Sequence, residues 1–203
     1  MNIIIFTGAP ATGKSSIANE CSKRLKIPAF SKDGFKVQLF ERYGFKNHSE
    51  KKKLSIQGEA KLIDTLSRFI ANNQDIIIDN NFKHFNDVRR VIELQNCDCN
   101  IICFYLFATY NTLADRYNER IRTKKRELSL YVLNQYPVIE GVTEYHKPLD
   151  AKQVENIQKA IQEDVYGDTI IRINTETIED DFEKIVQQCI EGINKNRIYK
   201  ETL

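Results

Sequence analysis

Short runs of apolar residues alternate along this chain with longer stretches in which apolar residues recur every three or four positions. Short runs rich in β-branched residues indicate strands, and those that are apolar throughout indicate strands buried on both faces of a sheet. The longer stretches have the spacing of amphipathic helices. The pattern predicts strands over residues 3–7, 27–30, 75–79, 101–106 and 169–173, and helices over 14–25, 49–71, 86–94, 111–123, 151–165 and 178–194.

Strands that alternate with helices predict the α/β class, with a mainly parallel five-stranded sheet and helices on both of its faces. The 203 residues contain 41% hydrophobic and 29% charged residues, which is enough for a core and a polar surface. Because no linker or internal repeat interrupts the pattern, we expect a single domain over residues 1–203. No apolar run reaches the length of a membrane span and no secretory signal is found, so a cytoplasmic protein is expected.

The five cysteines are odd in number, and their spacing matches neither a zinc ribbon nor a C-x-x-C redox site. We therefore expect reduced, mostly buried thiols and give little weight to a metal site at Cys97 and Cys99. The net charge of +2 is too small to indicate a class of substrate.

One loop carries the strongest chemical signal. It follows the first predicted strand, precedes the first predicted helix and matches the pattern G-x-x-x-x-G-K-[ST]. In this pattern the backbone N–H groups of the loop and the helix N-terminus bind phosphate groups, the lysine adds a positive charge, and the final hydroxyl contacts Mg²⁺. The sequence thus predicts a site for ATP and Mg²⁺ at Gly8, Ala9, Pro10, Ala11, Thr12, Gly13, Lys14, Ser15 and Ser16.

Two aspartates follow predicted strands, at the edge of a parallel sheet where ligands bind. Asp79 ends the third strand and is predicted to hold Mg²⁺ together with Ser15. The alternative is that Asp79 caps a turn. Asp33 follows the second strand and is predicted to accept the proton of a substrate hydroxyl group. Its alternative role is a helix N-cap, for which Ser31 also competes.

A cluster of arginines falls in the predicted helix over residues 111–123. Its apolar stripe is Leu113, Tyr117 and Ile121, and at about 100° per residue Arg120 lies within roughly 20° of Leu113. We therefore predict that Arg120 points inward and contacts the phosphate in the transition state.

The other arginines of this cluster are placed by the same helical geometry. Arg122 and Arg126 are expected on the far side of the helix, whereas Arg116 flanks the apolar stripe and is a second catalytic candidate. Ion pairs with Asp115 or Glu119, or exposure to solvent, are the alternative for the inward arginines.

Together these residues resemble those of the P-loop kinase family that includes phage polynucleotide kinase, zeta toxins and chloramphenicol phosphotransferase. The resemblance covers residues 1–126 and is closest to the polynucleotide kinases. Their phosphate loop, strand-end catalytic Asp motif and lid arginines resemble residues 8–15, residues 31–35, and Arg116 with Arg120. Their Asp-Thr-Asn segment with a downstream arginine pair resembles residues 79–81 with Arg89 and Arg90.

The resemblance implies a three-layer P-loop NTPase fold with a helical lid over about residues 111–128, ATP and Mg²⁺ as ligands, and Lys14, Asp33, Arg116 and Arg120 as catalytic residues. It also implies that residues 171–175 pass beside the adenine base. Residues 128–149 match no part of the family, and residues 145–148 either border the acceptor pocket or form a loop. The three histidines are expected to be ordinary surface or helix-end residues.

The function favoured by these patterns is transfer of the γ-phosphate of ATP to a hydroxyl group, on a small molecule or at the 5′ end of a nucleic acid. One alternative is a nucleotide-dependent switch or an ATPase without an acceptor. The other is a zeta-like toxin kinase that acts on an activated sugar. No membrane partner is expected.

Overall fold

The computed structural model describes residues 1–80, 85–95 and 97–198 of the chain. The strands in these residues are β1 (Asn2–Gly8), β2 (Ala29–Ser31), β3 (Ile76–Asp79), β4 (Asn100–Phe107) and β5 (Thr169–Asn174). The α-helices are α1 (Lys14–Leu25), α2 (Lys32–Tyr43), α3 (His48–Ala71), α4 (Phe85–Leu94), α5 (Tyr110–Thr123), α6 (Ala151–Glu163) and α7 (Ile178–Asn196), and a short 3-10 helix covers Leu128–Leu130.

The five strands form one parallel sheet in the order β2-β3-β1-β4-β5. This arrangement confirms the predicted α/β class. Because all five strands run the same way, their carboxyl ends meet at one edge, where β1 runs into the phosphate loop. The register places Asp79 beside Phe6 on one side and Ser31 on the other, so the ends of β1, β2 and β3 lie together.

Strands β1, β3 and β4 are buried on both faces, because successive side chains of a strand point to opposite sides and helices pack against each side of the sheet. Ile4 and Phe6 of β1 pack in a cluster with residues of α1 and α7. Ile3 and Ile5 pack on the other face with residues of α3. The almost unbroken apolar run at the start of the sequence is therefore explained by two cores rather than one.

Helix α2 was not predicted from the sequence, and β2 lies about two residues later than predicted. Gly34 weakens the helical pattern at its start, since glycine has low helix propensity. The structure supplies a cap instead: the backbone N–H of Gly34 donates a hydrogen bond to the Ser31 hydroxyl at 2.9 Å. Ser31 is thus the N-cap, and Asp33 lies in the first turn of α2.

The prediction that all cysteines are reduced is wrong for two of them. Cys97 and Cys99 form a disulfide, with their Cα atoms 5.4 Å apart, a separation within the range that a disulfide can span. Cys21, Cys103 and Cys189 are free and buried, as expected.

Residues 128–149 fold across the junction of α2 and α3, and we call them the 128–149 segment. Phe45 and Tyr136 exchange two backbone hydrogen bonds of 2.8 Å each. The side chain of Asn118 in α5 holds the other end of the segment through both backbone groups of Leu149, at 2.9 and 2.8 Å. Phe45 also packs with Phe40 and Val132 in a small separate core. The segment is thereby fixed over α2 and α3.

Among the helices of the described residues, none has both the length and the apolar character that crossing a membrane requires.

Phe104 provides a test of the larger core. Its side chain is fully buried, and its ring stacks on that of Phe6 with centroids 4.9 Å apart. We expect Phe104→Ala to lower the free energy of unfolding by about 3–5 kcal/mol through lost burial and a cavity. Ile170→Ala in β5 is the control, because that side chain is 48% exposed, and it should cost about 1 kcal/mol or less. Chemical denaturation of both variants measures the difference, and equal losses would contradict this packing.

Candidate active site

The phosphate loop has a backbone that tolerates little substitution. Gly13 adopts a φ of 82°, and a Cβ atom at this position would lie 2.2 Å from Cδ1 of Ile178. The loop is closed from within, because the hydroxyl of Thr12 donates a hydrogen bond to the Ala9 carbonyl at 2.9 Å. The tight path of the chain between β1 and α1 thus requires glycine at Gly13 and is stabilised by the Thr12 hydroxyl.

The first turn of α1 faces the site without a side-chain cap. Gly13 is its N-cap and contributes no side chain, so the first N–H groups of the helix are available to an anion. Lys14, Ser15 and Ser16 form this turn. Burial lowers the pKa of Lys14, while the carboxylates of Asp79 and Asp33 act in the opposite direction. The loop is therefore a preformed anion site with one buried positive charge.

Asp79 lies beside this turn at the end of β3 and is 8% exposed. Burial raises the pKa of its carboxyl group, opposed by the charge of Lys14 and a hydrogen bond with Ser15. Its Oδ1 atom has no hydrogen-bond partner among the described residues. A buried carboxylate oxygen without a partner next to a serine hydroxyl is a donor set that suits a hard cation such as Mg²⁺. Asp79 and Ser15, the two predicted metal ligands, are thus brought together.

Asp33 lies across from the loop, and its side chain is about half exposed. Burial opposes its ionisation, but Lys36, Lys14 and Arg126 together lower its pKa. Lys36 lies one turn along α2, and its ammonium group is 2.9 Å from Oδ1 of Asp33. Since Ser31 supplies the helix cap, the carboxylate of Asp33 is left to face the site as an ionised group.

Arg120 points toward the site, as the helical geometry predicts. Its guanidinium lies 5.2 Å from the centre of the Tyr117 ring, and burial together with Arg126 lowers its pKa. Arg122, by contrast, is exposed and pairs with Glu119 at 2.6 Å. The two arginines therefore lie on different faces of α5.

The prediction that Arg126 lies on the far side of the helix is wrong. Helix α5 ends at Thr123, and Lys124 adopts a left-handed backbone with a φ of 47°. The chain consequently turns back, and Arg126 comes within 3.9 Å of Oδ2 of Asp33. A helix extended past residue 123 would have carried Arg126 away from the site.

Arg116 is held by the turn that follows β5. Its guanidinium donates hydrogen bonds to the carbonyls of Thr175 at 2.9 Å and Glu176 at 2.7 Å, and it lies 3.5 Å from a carboxylate oxygen of Glu179. These contacts direct the predicted catalytic arginine toward the 175–179 turn. A direct role for Arg116 in phosphate transfer stays a prediction, and its visible role is to fix this turn against α5.

Three cavities meet around the phosphate loop. The nucleotide-side cavity, of about 650 Å³, lies between the loop, α5 and the start of α7. The metal-side cavity, of about 200 Å³, includes Ser15 and Asp79. The third, of about 240 Å³, lies between the loop, α2, α3, α5 and the 128–149 segment, and we call it the acceptor-side cavity. Lys14 lines all three, while Arg120 and Arg126 line both the nucleotide-side and the acceptor-side cavities.

The acceptor-side cavity contains three polar residues that the sequence did not identify as site residues. Lys36 and Lys51 come from α2 and α3, and His146 comes from the 128–149 segment. Among these three residues, only His146 had been considered, as part of residues 145–148 at the border of the acceptor pocket. The position of Lys36 one turn after Asp33 was a usable signal, but it required α2 to be recognised.

Other residues singled out by the resemblance are placed differently. Asn80 lines the metal-side cavity beside Asp79, whereas Asn81 lies outside the described residues, as does His84, one of the three histidines expected to be ordinary. The guanidinium of Arg89 lies 4.0 Å from the centre of the Tyr166 ring, just before β5. This is the amino end of the strands, so Arg89 faces away from the phosphate loop.

The comparisons with known proteins agree with this architecture. A family model described as an AAA domain matches residues 4–135, which include the phosphate loop and α5. The chain belongs to this family. No curated protein sequence matches this AAA domain significantly.

Solved structures share the fold over nearly the whole chain. A candidate kinase from Chloroflexus aurantiacus is 19% identical with a TM-score of 0.69, and 97% of each chain is covered. A gluconokinase from Sinorhizobium meliloti is 10% identical with a TM-score of 0.55, covering 96% of this chain and 92% of its own. A shikimate kinase from Bacteroides thetaiotaomicron is 16% identical with a TM-score of 0.52, covering 95% and 98%. The AAA domain therefore has a P-loop kinase-like fold.

Removal of the Lys14 charge tests the phosphate loop. We expect Lys14→Ala to weaken ATP binding by about 10- to 100-fold, because hydrogen bonds to charged groups contribute roughly 1.5–3 kcal/mol. The melting temperature should change little, since burial already disfavours the charged form of Lys14. Isothermal titration with Mg²⁺-ATP and a thermal melt measure the two effects, and unchanged ATP affinity would contradict the assignment.

A pair of arginine variants tests the orientation of α5. We expect Arg120→Ala to lower phosphate turnover by about 10²-fold or more with a smaller effect on ATP affinity, because an inward arginine stabilises charge in the transition state. Arg122→Ala is the matched control from the exposed face, where its pair with Glu119 contributes little. Similar losses of turnover in both variants would show that the helical face does not matter.

Proposed function

We propose that this AAA domain is an ATP-dependent phosphotransferase that moves the γ-phosphate of ATP to a hydroxyl group, on a small molecule or at the 5′ end of a polynucleotide. The observation that carries the proposal is the junction of the three cavities. Lys14, Arg120 and Arg126 line the boundary between the nucleotide-side and acceptor-side cavities, and Asp33 lies on the acceptor side of it. A phosphate at this boundary would lie between the nucleotide-side cavity, which would hold ATP, and the acceptor-side cavity, which would hold the hydroxyl compound.

ATP would bind with its phosphates on the loop and its base in the nucleotide-side cavity. The first N–H groups of α1 and the Lys14 ammonium would bind the phosphate oxygens. Ile178, Glu179 and Phe182 at the start of α7 line this cavity, and they directly follow the turn whose carbonyls Arg116 contacts. This turn follows β5, where the kinase family passes a loop beside the adenine base.

Mg²⁺ would be held by Ser15 and Asp79. The unpartnered Oδ1 of Asp79 and the adjacent hydroxyl supply the oxygen ligands, and the remaining positions would be filled by water and phosphate. When bound, the ion neutralises charge on the phosphate oxygens. The residues of the chain itself then orient the reacting groups.

Asp33 would orient the acceptor hydroxyl and receive its proton. Its lowered pKa keeps the carboxylate ionised at neutral pH, so it can accept a hydrogen bond from the hydroxyl. The acceptor oxygen forms a bond to the γ-phosphorus, and the bond from that phosphorus to the bridging oxygen of ADP breaks with its electron pair. The hydroxyl proton passes to Asp33. A low pKa suits late proton transfer, because the transition state for phosphate transfer is loose.

Arg120 and Arg126 would stabilise the charge on the transferring phosphate. Both lie at the boundary of the two cavities, and Arg120 is partly buried where water screens its charge less. A fixed cation at this position acts on charge that develops during the reaction.

The solved neighbours support a kinase with a hydroxyl acceptor. Gluconokinase and shikimate kinase are named for small hydroxyl compounds, and both share the fold of this chain. The finer assignment to the polynucleotide kinases or zeta toxins rests on the motif resemblance. A nucleotide switch is less well supported, since a switch requires no carboxylate that faces a separate acceptor compartment.

Replacement of Asp33 separates a kinase from a switch or a simple ATPase. We expect Asp33→Asn to lower phosphate transfer by about 10²- to 10⁴-fold, because the amide keeps the size of the side chain but loses the base. ATP affinity and the melting temperature should stay near wild type, since Ser31 and not Asp33 caps α2. Transfer of labelled γ-phosphate to a panel of sugars, nucleosides, aminoglycosides and 5′-hydroxyl oligonucleotides measures the rate.

Asp64→Asn is the matched control, because Asp64 is an exposed carboxylate on α3 that pairs with Arg68 in the same helix. Its rate should equal that of the wild type. If Asp33→Asn transfers phosphate as fast as this control, the base lies elsewhere and the proposed mechanism is wrong.

A further inference from the structure

Lys51 is a half-buried cation at the acceptor-side cavity, and the mechanism above does not use it. Its ammonium group donates a hydrogen bond to the Val132 carbonyl and lies 3.4 Å from Nε2 of His146. The rings of Phe40 and Phe45 lie within 6.0 and 5.8 Å of the same nitrogen. These contacts hold Lys51 in place, unlike the next lysine of α3, Lys52, which is exposed.

The other charges of the cavity have partners or defined roles. Among the described residues that line it, five lysine and arginine side chains accompany a single carboxylate, that of Asp33. Lys36 is paired with Asp33, and the transferring phosphate would neutralise Lys14, Arg120 and Arg126. In the described part of the chain, no carboxylate lies within salt-bridge distance of Lys51. One positive charge is thus left over when ATP is bound.

A buried cation without an anion is unfavourable, because it loses hydration and gains no ion pair. Burial, together with the charge of Lys36, lowers the pKa of Lys51 to about 8. Burial and the nearby charge of Lys51 likewise lower the pKa of His146 to about 4. An anion bound beside these two groups would offset both costs.

The walls of the cavity fit the rest of such a ligand. Phe40, Tyr117, Ile121 and Leu130 line the same cavity as Asp33 and Lys51 and supply apolar surface to it. The cavity volume of about 240 Å³ is smaller than the roughly 300–1,000 Å³ of pockets that enclose drug-sized ligands. The space suits a small molecule with a hydroxyl group near Asp33 and a charged group near Lys51.

We propose that the acceptor of this AAA domain is a small hydroxyl compound that carries a carboxylate or phosphate group, and that Lys51 and His146 bind this anionic group. The inference rests on the proposed phosphotransfer, whose acceptor it specifies. Lys51 is then a specificity-determining residue. It selects charged acceptors over neutral ones and places their hydroxyl group toward Asp33.

Binding of matched compounds tests the proposal without the need to know the natural acceptor. The phosphate loop is first filled with Mg²⁺ and a non-hydrolysable ATP analogue, so that added anions cannot bind there. Glycerate, glycerol phosphate and glycerol are then titrated, followed by gluconate, glucose 6-phosphate and glucose. We expect at least one carboxylate or phosphate to bind at least 10-fold more tightly than its neutral counterpart, and the set shows which of the two anions is preferred.

Variants assign the binding to Lys51. Lys51→Met keeps the length and apolar packing of the side chain, and it should weaken binding of that anion by about 10-fold or more. Lys52→Met, from the exposed neighbour, should leave binding unchanged. His146→Gln is a second variant and should also weaken binding. Thermal melts establish that each variant is folded, and in transfer assays the loss should fall on KM more than on kcat.

Three results would overturn the inference: neutral compounds that bind as tightly as the anions, no binding of any anion, or anion binding that survives Lys51→Met. A 5′-hydroxyl oligonucleotide that is preferred over every small anion would overturn it in favour of a nucleic-acid acceptor. Binding of the ATP analogue is measured first and depends on Lys14. Failure at that step would count against the proposed phosphotransfer itself, whereas failure with the anions alone counts only against the acceptor class.

Discussion

The balance of charge around the Lys14 ammonium is the constraint on which the rest of the site depends. Burial lowers its pKa, Asp79 and Asp33 favour its charged form, and Arg126 and Arg120 oppose it. Two carboxylates and two guanidinium groups from separate parts of the chain thus all act on the charge of the Lys14 ammonium group. An added phosphate would satisfy Lys14 and both arginines at once, so the site is arranged for an anion at its centre.

The parallel sheet makes this convergence possible. Because β1, β2 and β3 are adjacent and run the same way, the loop after β1, the start of α2 after β2 and Asp79 at the end of β3 meet at one edge. The buried hydrogen bonds and apolar faces of the strands hold these ends at fixed positions. The side chains of the candidate site on these elements therefore start from a rigid base, and α5 and the residues after it approach from outside the sheet.

The acceptor-side cavity is built differently, from elements that do not belong to the sheet. Its walls come from α2, α3, α5 and the 128–149 segment, which are joined by the Phe45–Tyr136 backbone pairing and by the small core around Phe40. If the proposed phosphotransfer is right, the choice of acceptor depends on residues that these elements bring to the cavity, here Lys51 from α3 and His146 from the 128–149 segment.

The sequence by itself determined the sheet, most of the helices and the phosphate loop, because each depends on residues that are close in the chain. The run of isoleucines predicts a buried strand, and the loop pattern depends on eight consecutive residues. The positions of Asp79 and Asp33 beside the loop could be predicted because strand ends in a parallel sheet lie at one edge. The inward direction of Arg120 could be predicted because the period of a helix fixes which side chains share a face.

Only the tertiary structure decided the remaining features. The turn at Lys124 brings Arg126 back to Asp33, and carbonyls about 60 residues further along the chain engage Arg116. Lys51 and His146, 95 positions apart, meet only because the 128–149 segment folds over α3. Neither periodicity nor a local motif encodes such contacts, since they arise from packing between elements that are distant in the chain.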